Sequence, residues 1–260
     1  MKYVNTDSLN GIPGRCLEEK SVFSFRCHSD LSCYNRCCRN LNLFLYPYDI
    51  LVLKNSLGIS SDQFLDRYVD VVLREGNFFP EVLLKMRENE TRDCIFLSES
   101  GCTVYTYRPH TCRLFPVEQG FVSDSDTQKT RFIHFFRPPD FCLGSREERT
   151  FTPLEWVQNQ GAEEHTKMIL LWAQTKQLFQ NNPWGNEGPM GPKGKMGFMA
   201  AYNLDRFREF VFGSSFLKRY RVRPPVIQSI LSDETELMKF GLSWIRLYLW
   251  GIQTIDISIR

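Results

Sequence analysis

No apolar run in this chain approaches the ~18 residues that a bilayer span requires. Its start, Met1-Lys2-Tyr3-Val4-Asn5-Thr6-Asp7, has no apolar core of a secretory signal. A cytoplasmic protein without a membrane span is therefore expected. Surplus charge is small: Lys and Arg number 32 against 30 Asp and Glu, a formal +2, so bulk electrostatics is excluded as the basis of function. There is no phosphate-binding loop, no dinucleotide fingerprint, no Gly-x-Ser-x-Gly elbow and no His-Glu-x-x-His zinc motif. No internal repeat is visible. No cysteine follows Cys142, and no tryptophan precedes Trp156.

The last two absences divide the chain. All nine cysteines lie between Cys16 and Cys142, and all five tryptophans lie from Trp156 to Trp250. At 260 residues, 42% hydrophobic and 24% charged, the composition is that of an ordinary globular protein, with room for one large domain or two small ones. An α+β fold is expected: a small mixed cysteine-rich metal-binding domain followed by a mainly helical C-terminal region. The layout is an N-terminal extension at 1–19, the cysteine domain at 20–150, and a helical aromatic-rich region at 151–260 with a Gly/Pro loop at 181–197.

Disulfides need an oxidising compartment, and an odd count leaves one thiol over. A buried inert thiol suits the isolated Cys16. It does not suit Cys27-His28-Ser29-Asp30-Leu31-Ser32-Cys33-Tyr34-Asn35-Arg36-Cys37-Cys38, with four cysteines in twelve residues. Such density in a reducing compartment points to metal. If this stretch is helical, Cys33 and Cys37 share a face. Cys37 and Cys38 are adjacent and point in different directions in a helix or a strand, so both can hardly serve one tetrahedral ion. A second group follows: Cys94, opening an apolar run, then Cys102 behind a turn at Gly101, then Cys112 after Arg108-Pro109, and finally Cys142.

Eight thiols are thus candidate metal ligands: Cys27, Cys33, Cys37, Cys38, Cys94, Cys102, Cys112 and Cys142. They could fill two four-ligand sites, or one cluster site with the rest structural. Arg26, Arg36, Arg39, Arg92, Arg108 and Arg113 lie within a few residues of a cysteine, and cations offset thiolate charge. His28 and His110 stand near candidate ligands; a solvated or hydrogen-bonded histidine is the more common state.

The order Cys27, Cys33, Cys37-Cys38, Tyr48-Asp49-Ile50, Cys94-Ile95-Phe96-Leu97, Cys102-Thr103-Val104-Tyr105, Arg108-Pro109, Cys112-Arg113 and Phe115-Pro116 resembles the YkgJ-type cysteine-cluster family. That family is described as zinc- or iron-chelating. Between Cys27 and Cys33 the spacing is wider than the family's tighter form. The resemblance implies metal binding through the cysteines and does not imply a reaction. Flagellin lysine N-methylases carry a similar cluster, thought to hold an iron–sulfur centre, which makes a protein-modifying enzyme the alternative. The Cys-x3-Cys-x2-Cys loop of radical S-adenosylmethionine enzymes is absent. An iron–sulfur cluster is favoured over zinc as the cofactor, because the thiols exceed one zinc site and arginines suit a negative cluster.

Helices are expected from Tyr48 to Leu57, ending at Gly58, and from a Ser60 capping box through Val72. Short strands are expected at Glu81–Arg87, Asp93–Leu97, Thr103–Tyr105 and Thr130–Phe136. Thr152-Pro153-Leu154-Glu155 starts a helix, and a longer one runs from about Ala162 to Phe179 with Met168, Leu171, Trp172, Thr175 and Leu178 on its buried stripe. Asn203 caps a helix ended by Gly213, and Ser232 caps a final one through Trp250. Arg206, Arg208, Lys218, Arg219, Arg221 and Arg223 interleave with Phe207, Phe210, Phe212, Phe216 and Tyr220. That pattern could serve a nucleic-acid-associated zinc module, but a solvated amphipathic face is favoured. A protein or small molecule, and not nucleic acid, is the expected partner.

Overall fold

The computed structural model describes residues 11–123 and 130–260. The fold is α+β, with short antiparallel strands throughout and helices dominating the C-terminal half. The chain divides into two compact units, each assembled from two separate stretches. One contains the described residues up to Leu41 together with Met86–Ala173. The other contains Asn42–Lys85 together with Gln174–Arg260.

The first unit contains a three-stranded antiparallel sheet. Strand Thr130–Phe136 lies at its centre, between Val117–Ser123 and Arg15–Leu17. Phe23–Ser24 pairs with Thr150–Phe151. Thr152 caps helix Pro153–Asn159 with the expected box: its hydroxyl accepts from Glu155 N–H, and the Glu155 carboxylate accepts from Thr152 N–H. The helix delivers Trp156 into the core, where Phe23, Phe25 and Phe151 meet its ring edge-on at centroid separations of 5.8, 5.4 and 5.0 Å. The indole N–H donates to Leu114 O at 2.9 Å, so burial leaves no polar atom of this side chain unpaired. Aromatic pairs of this kind add about 0.5–1.5 kcal/mol each beyond area burial. Packing on Trp156 draws residues beyond 150 into the first unit, which therefore does not end at the compositional boundary.

The second unit holds sheet Phe44–Leu45, Glu81–Leu84 and Val69–Val72, with Glu81–Leu84 in the middle. Helix Pro47–Leu57 ends at Gly58 in the left-handed region, as expected. The capping box at Ser60 forms, but its helix stops at Tyr68. Val69, Val71 and Val72 are β-branched, and the segment pairs with Glu81–Leu84 instead of continuing as helix. The 181–197 segment is not all loop: a helix begins at Pro192 and runs to Tyr202. Asn203 caps helix Leu204–Gly213. Ser232 is not a cap but the last residue of a further helix, Pro224–Ser232. Asp233 caps the final helix, Glu234–Trp250, accepting from Thr235 and Glu236 N–H at 2.6 and 3.2 Å.

Helix Glu163–Leu178 matches the expected span. Met168, Trp172 and Thr175 are buried, whereas Leu171 is exposed; Ile169 takes its place on the buried stripe. Phe207 and Phe216 are fully buried and Phe210 packs with them against Trp244. These rings are core, not a stacking surface. Arg206 pairs with Asp62 and Glu209, Arg208 with Glu234, and Arg223 with Asp256. Among the described residues no helix is long and apolar enough to cross a membrane.

Candidate metal centre

The first cysteine segment is a succession of tight turns and not an α-helix. Asn35 adopts φ 64°, which breaks any helical run, and a single 3-10 turn follows at Arg36–Cys38. The shared α-helical face of Cys33 and Cys37 therefore does not form. Cys38 is fixed by backbone pairing with the second cysteine segment. Cys94 N–H donates to Cys38 O at 2.8 Å and Asn40 N–H to Arg92 O at 2.9 Å, with Arg39 Nε 3.1 Å from Asp93 Oδ1. Of the strands expected there, Asp93–Leu97 is reduced to bridges at Asp93 and Cys94 and the hairpin pair Leu97–Ser98 and Gly101–Cys102. The turn at Gly101, φ 115°, is in a region open to glycine. Thr103–Tyr105 is not a strand: a 3-10 turn occupies Tyr105–Tyr107.

These connections gather thiols from four stretches of chain. Burial raises the Cys27 thiol, and neighbouring Cys142, Cys33 and Cys38 raise it further. Cys142 is raised by burial and by Cys33, while the N–H groups of Gly144 and Ser145 donate to its sulfur and oppose the rise. Cys38 is raised first by a hydrogen bond with the Cys37 thiol, then by burial, with Arg39 opposing. The adjacent thiols thus meet each other instead of diverging. Cys94 is pushed up to about 11 by burial, with Cys38 and Cys102 adding and Phe96 N–H and Arg87 opposing. Cys102 is raised by burial and by Cys38, against Val104 N–H and Arg108. Cys38 therefore links a group of Cys27, Cys33 and Cys142 to a group of Cys94 and Cys102. Cys112 lies on helix His110–Leu114, half-exposed. Cys16 is exposed on strand Arg15–Leu17, not buried as an inert thiol would be.

Among the described residues, no three His, Cys, Asp or Glu side chains converge on a single point as a finished ion site would. The structure defines a neighbourhood of thiols, not a coordination polyhedron. The donor chemistry nevertheless fits zinc or iron. The atoms gathered are soft sulfurs, and backbone N–H groups are already aimed at four of them: Leu143 N–H at Cys33 Sγ (3.2 Å), Phe96 N–H at Cys94, Val104 N–H at Cys102, and Gly144 N–H at Cys142. Hydrogen bonds of this kind stabilise negative sulfur. The nearby arginines do more than supply charge. Arg108 Nη2 donates to Gln160 Oε1 at 2.8 Å and Arg113 Nη1 to Gln160 O at 3.0 Å, which ties the loop between Cys102 and Cys112 to the end of the Trp156 helix.

Residues 26–142 match the family described as "CxxCxxCC: Putative zinc- or iron-chelating domain". The matched segment begins one residue before Cys27 and ends on Cys142, so it contains all eight candidate thiols. The segment is thus similar to a family whose described property is chelation of zinc or iron. No curated protein and no solved structure matches the chain.

A second polar cluster lies in the same unit. Gln119 Oε1 accepts from His110 Nε2 at 3.1 Å, and Gln119 Nε2 donates to His134 Nε2 at 3.0 Å. Arg113 Nε donates to His165 Nε2 at 3.1 Å. His110 and His165 are buried; His28 sits between Asp30 and Glu147, 3.5 Å from each. Nothing in the sequence singled out His134 or His165, whose partners are distant in the chain.

Burial holds His134 at about 4, below its ordinary 6.5. The unfolded chain therefore takes up a proton that the folded one refuses. The associated stability is present above about pH 6.5 and lost as pH falls towards 4, up to about 3 kcal/mol in all. Urea unfolding at pH 7 and pH 4.5 should show a clearly smaller acid loss in His134→Gln than in the wild type. Equal losses would assign the acid sensitivity elsewhere.

Proposed function

We propose that the first unit is a metal centre holding an iron–sulfur cluster through thiolates drawn from Cys27, Cys33, Cys38, Cys94, Cys102 and Cys142. The observation that carries this reading is the set of backbone N–H groups directed at the sulfurs of Cys33, Cys94, Cys102 and Cys142. Such donors lower the cost of collecting negative charge in one place, and hydrogen bonds to sulfur also set the potential of a cluster. Six thiols are more than one closed zinc site uses. An iron–sulfur centre would supply electron transfer or redox sensing. A closed four-thiolate zinc site would supply stability alone.

The test is anaerobic purification followed by measurement of iron, zinc and acid-labile sulfide per chain, with a visible spectrum. Iron and sulfide in near-equal amounts in brown protein are expected. Colourless protein with stoichiometric zinc would replace the cluster with a structural zinc site, and protein that holds neither metal after reconstitution would refute the centre itself.

A further inference from the structure

The first unit has an open cavity of about 390 Å³ lined by Arg26, Arg146, Glu147, Glu148 and Arg149. Its frame is backbone. Phe25 N–H donates to Arg149 O at 2.8 Å and Arg26 N–H to Gly144 O at 3.0 Å, next to the paired strands Phe23–Ser24 and Thr150–Phe151. The two segments approach so closely that a Cβ on Gly144 would stand 2.8 Å from Arg26 O. They carry thiols of the cluster as well: Arg26 precedes Cys27, and the 3-10 turn Leu143–Arg146 starts directly after Cys142.

Three of the five lining residues are arginines. Among the described residues, Arg26, Arg146 and Arg149 make no ion pair, although two glutamates share the lining with them. Glu147 is turned to His28 Nε2, 3.5 Å away. The Arg149 guanidinium rests on the Phe151 ring, 4.9 Å from its centroid, which restricts its motion. Three guanidiniums on a fixed backbone frame present forked N–H donors with no carboxylate engaging them. Such forks match the paired oxygens of a carboxylate or phosphate.

The geometry points to an oxyanion-binding site here, taking a small molecule that carries a phosphate or carboxylate group. The assignment does not depend on which metal the thiols hold.

The test is calorimetric titration of the purified full-length protein with inorganic phosphate and, separately, with succinate at low ionic strength. Saturable binding of at least one is expected, weakened by added salt. The probe that binds tells a phosphate site from a carboxylate site. Arg146→Gln and Arg149→Gln should each weaken binding about tenfold, the loss of a charge-assisted hydrogen bond, with metal content and melting temperature unchanged. Glu148→Gln, which removes a like charge from the lining, should tighten it. No saturable binding of either probe, or wild-type affinity in both arginine variants, would overturn the site. Metal analysis of the same samples reports separately on the thiol centre.

Discussion

Serine at Cys38 should remove more than half of the bound metal and lower the thermal stability of the first unit, whereas serine at Cys16 should change neither. Cys38 is the thiol common to both groups: it raises Cys27 on one side and Cys94 and Cys102 on the other. Its carbonyl also accepts from Cys94 N–H, so the backbone holds it in place whichever side chain it carries. The serine variant thus tests the sulfur and not the local fold. Binding of a structural metal by thiolates is worth on the order of 10 kcal/mol, comparable with the whole net stability of a domain, so losing a shared ligand should be plain in both readouts. Thiols raised by burial and by one another must release protons when they bind, so apparent affinity should fall as the pH is lowered. Metal content per chain and a melting curve with and without chelator decide the matter. Full metal occupancy in Cys38→Ser would show that the shared position is not a ligand.

Alanine at Gly241 should destabilise the second unit by about 1–3 kcal/mol, and valine by more. Gly241 is buried on the final helix, Glu234–Trp250. A Cβ there would stand 2.5 Å from Ala200 O and 3.2 Å from Phe207 Cε1. The first of these is backbone, so no side-chain rotation relieves the clash, and helices Pro192–Tyr202 and Glu234–Trp250 must separate. Gly213, with nothing within 4 Å of its Cβ position, is the control and should tolerate alanine with little change. Urea midpoints followed by tryptophan fluorescence check the comparison. Equal midpoints for Gly241→Ala and wild type would mean that the helices part without cost.

Local chemistry made much of this molecule legible in its sequence. Capping at Ser60, Thr152 and Asn203 needs only neighbouring residues, and all three caps form. The thiol cluster was visible because metal binding leaves its mark in residue type. Its grouping was not, because Cys27 and Cys142 are far apart in the chain and their proximity depends on strand Thr150–Phe151 meeting Phe23–Ser24. Glycine misled at 181–197. Gly194 and Gly197 suggested loop, yet both lie in a helix where a side chain would strike Pro189 O or press on Phe79. Close approach, not flexibility, explains them. The compositional boundary misled in a similar way, since Trp156 belongs by composition to the aromatic half and by packing to the cysteine unit.

The interleaved chain order has a consequence during synthesis. Cys27, Cys33, Cys37 and Cys38 leave the ribosome roughly a hundred residues ahead of Cys142, and Trp156 follows later still. At about 5–20 residues per second, the early thiols wait on the order of ten seconds for their partners. Throughout that interval they are open to oxidants and to whichever soft ion arrives first. The thiol neighbourhood is therefore complete only once Cys142 and Trp156 have emerged, and the cell's handling of the nascent chain decides how many molecules reach that point intact.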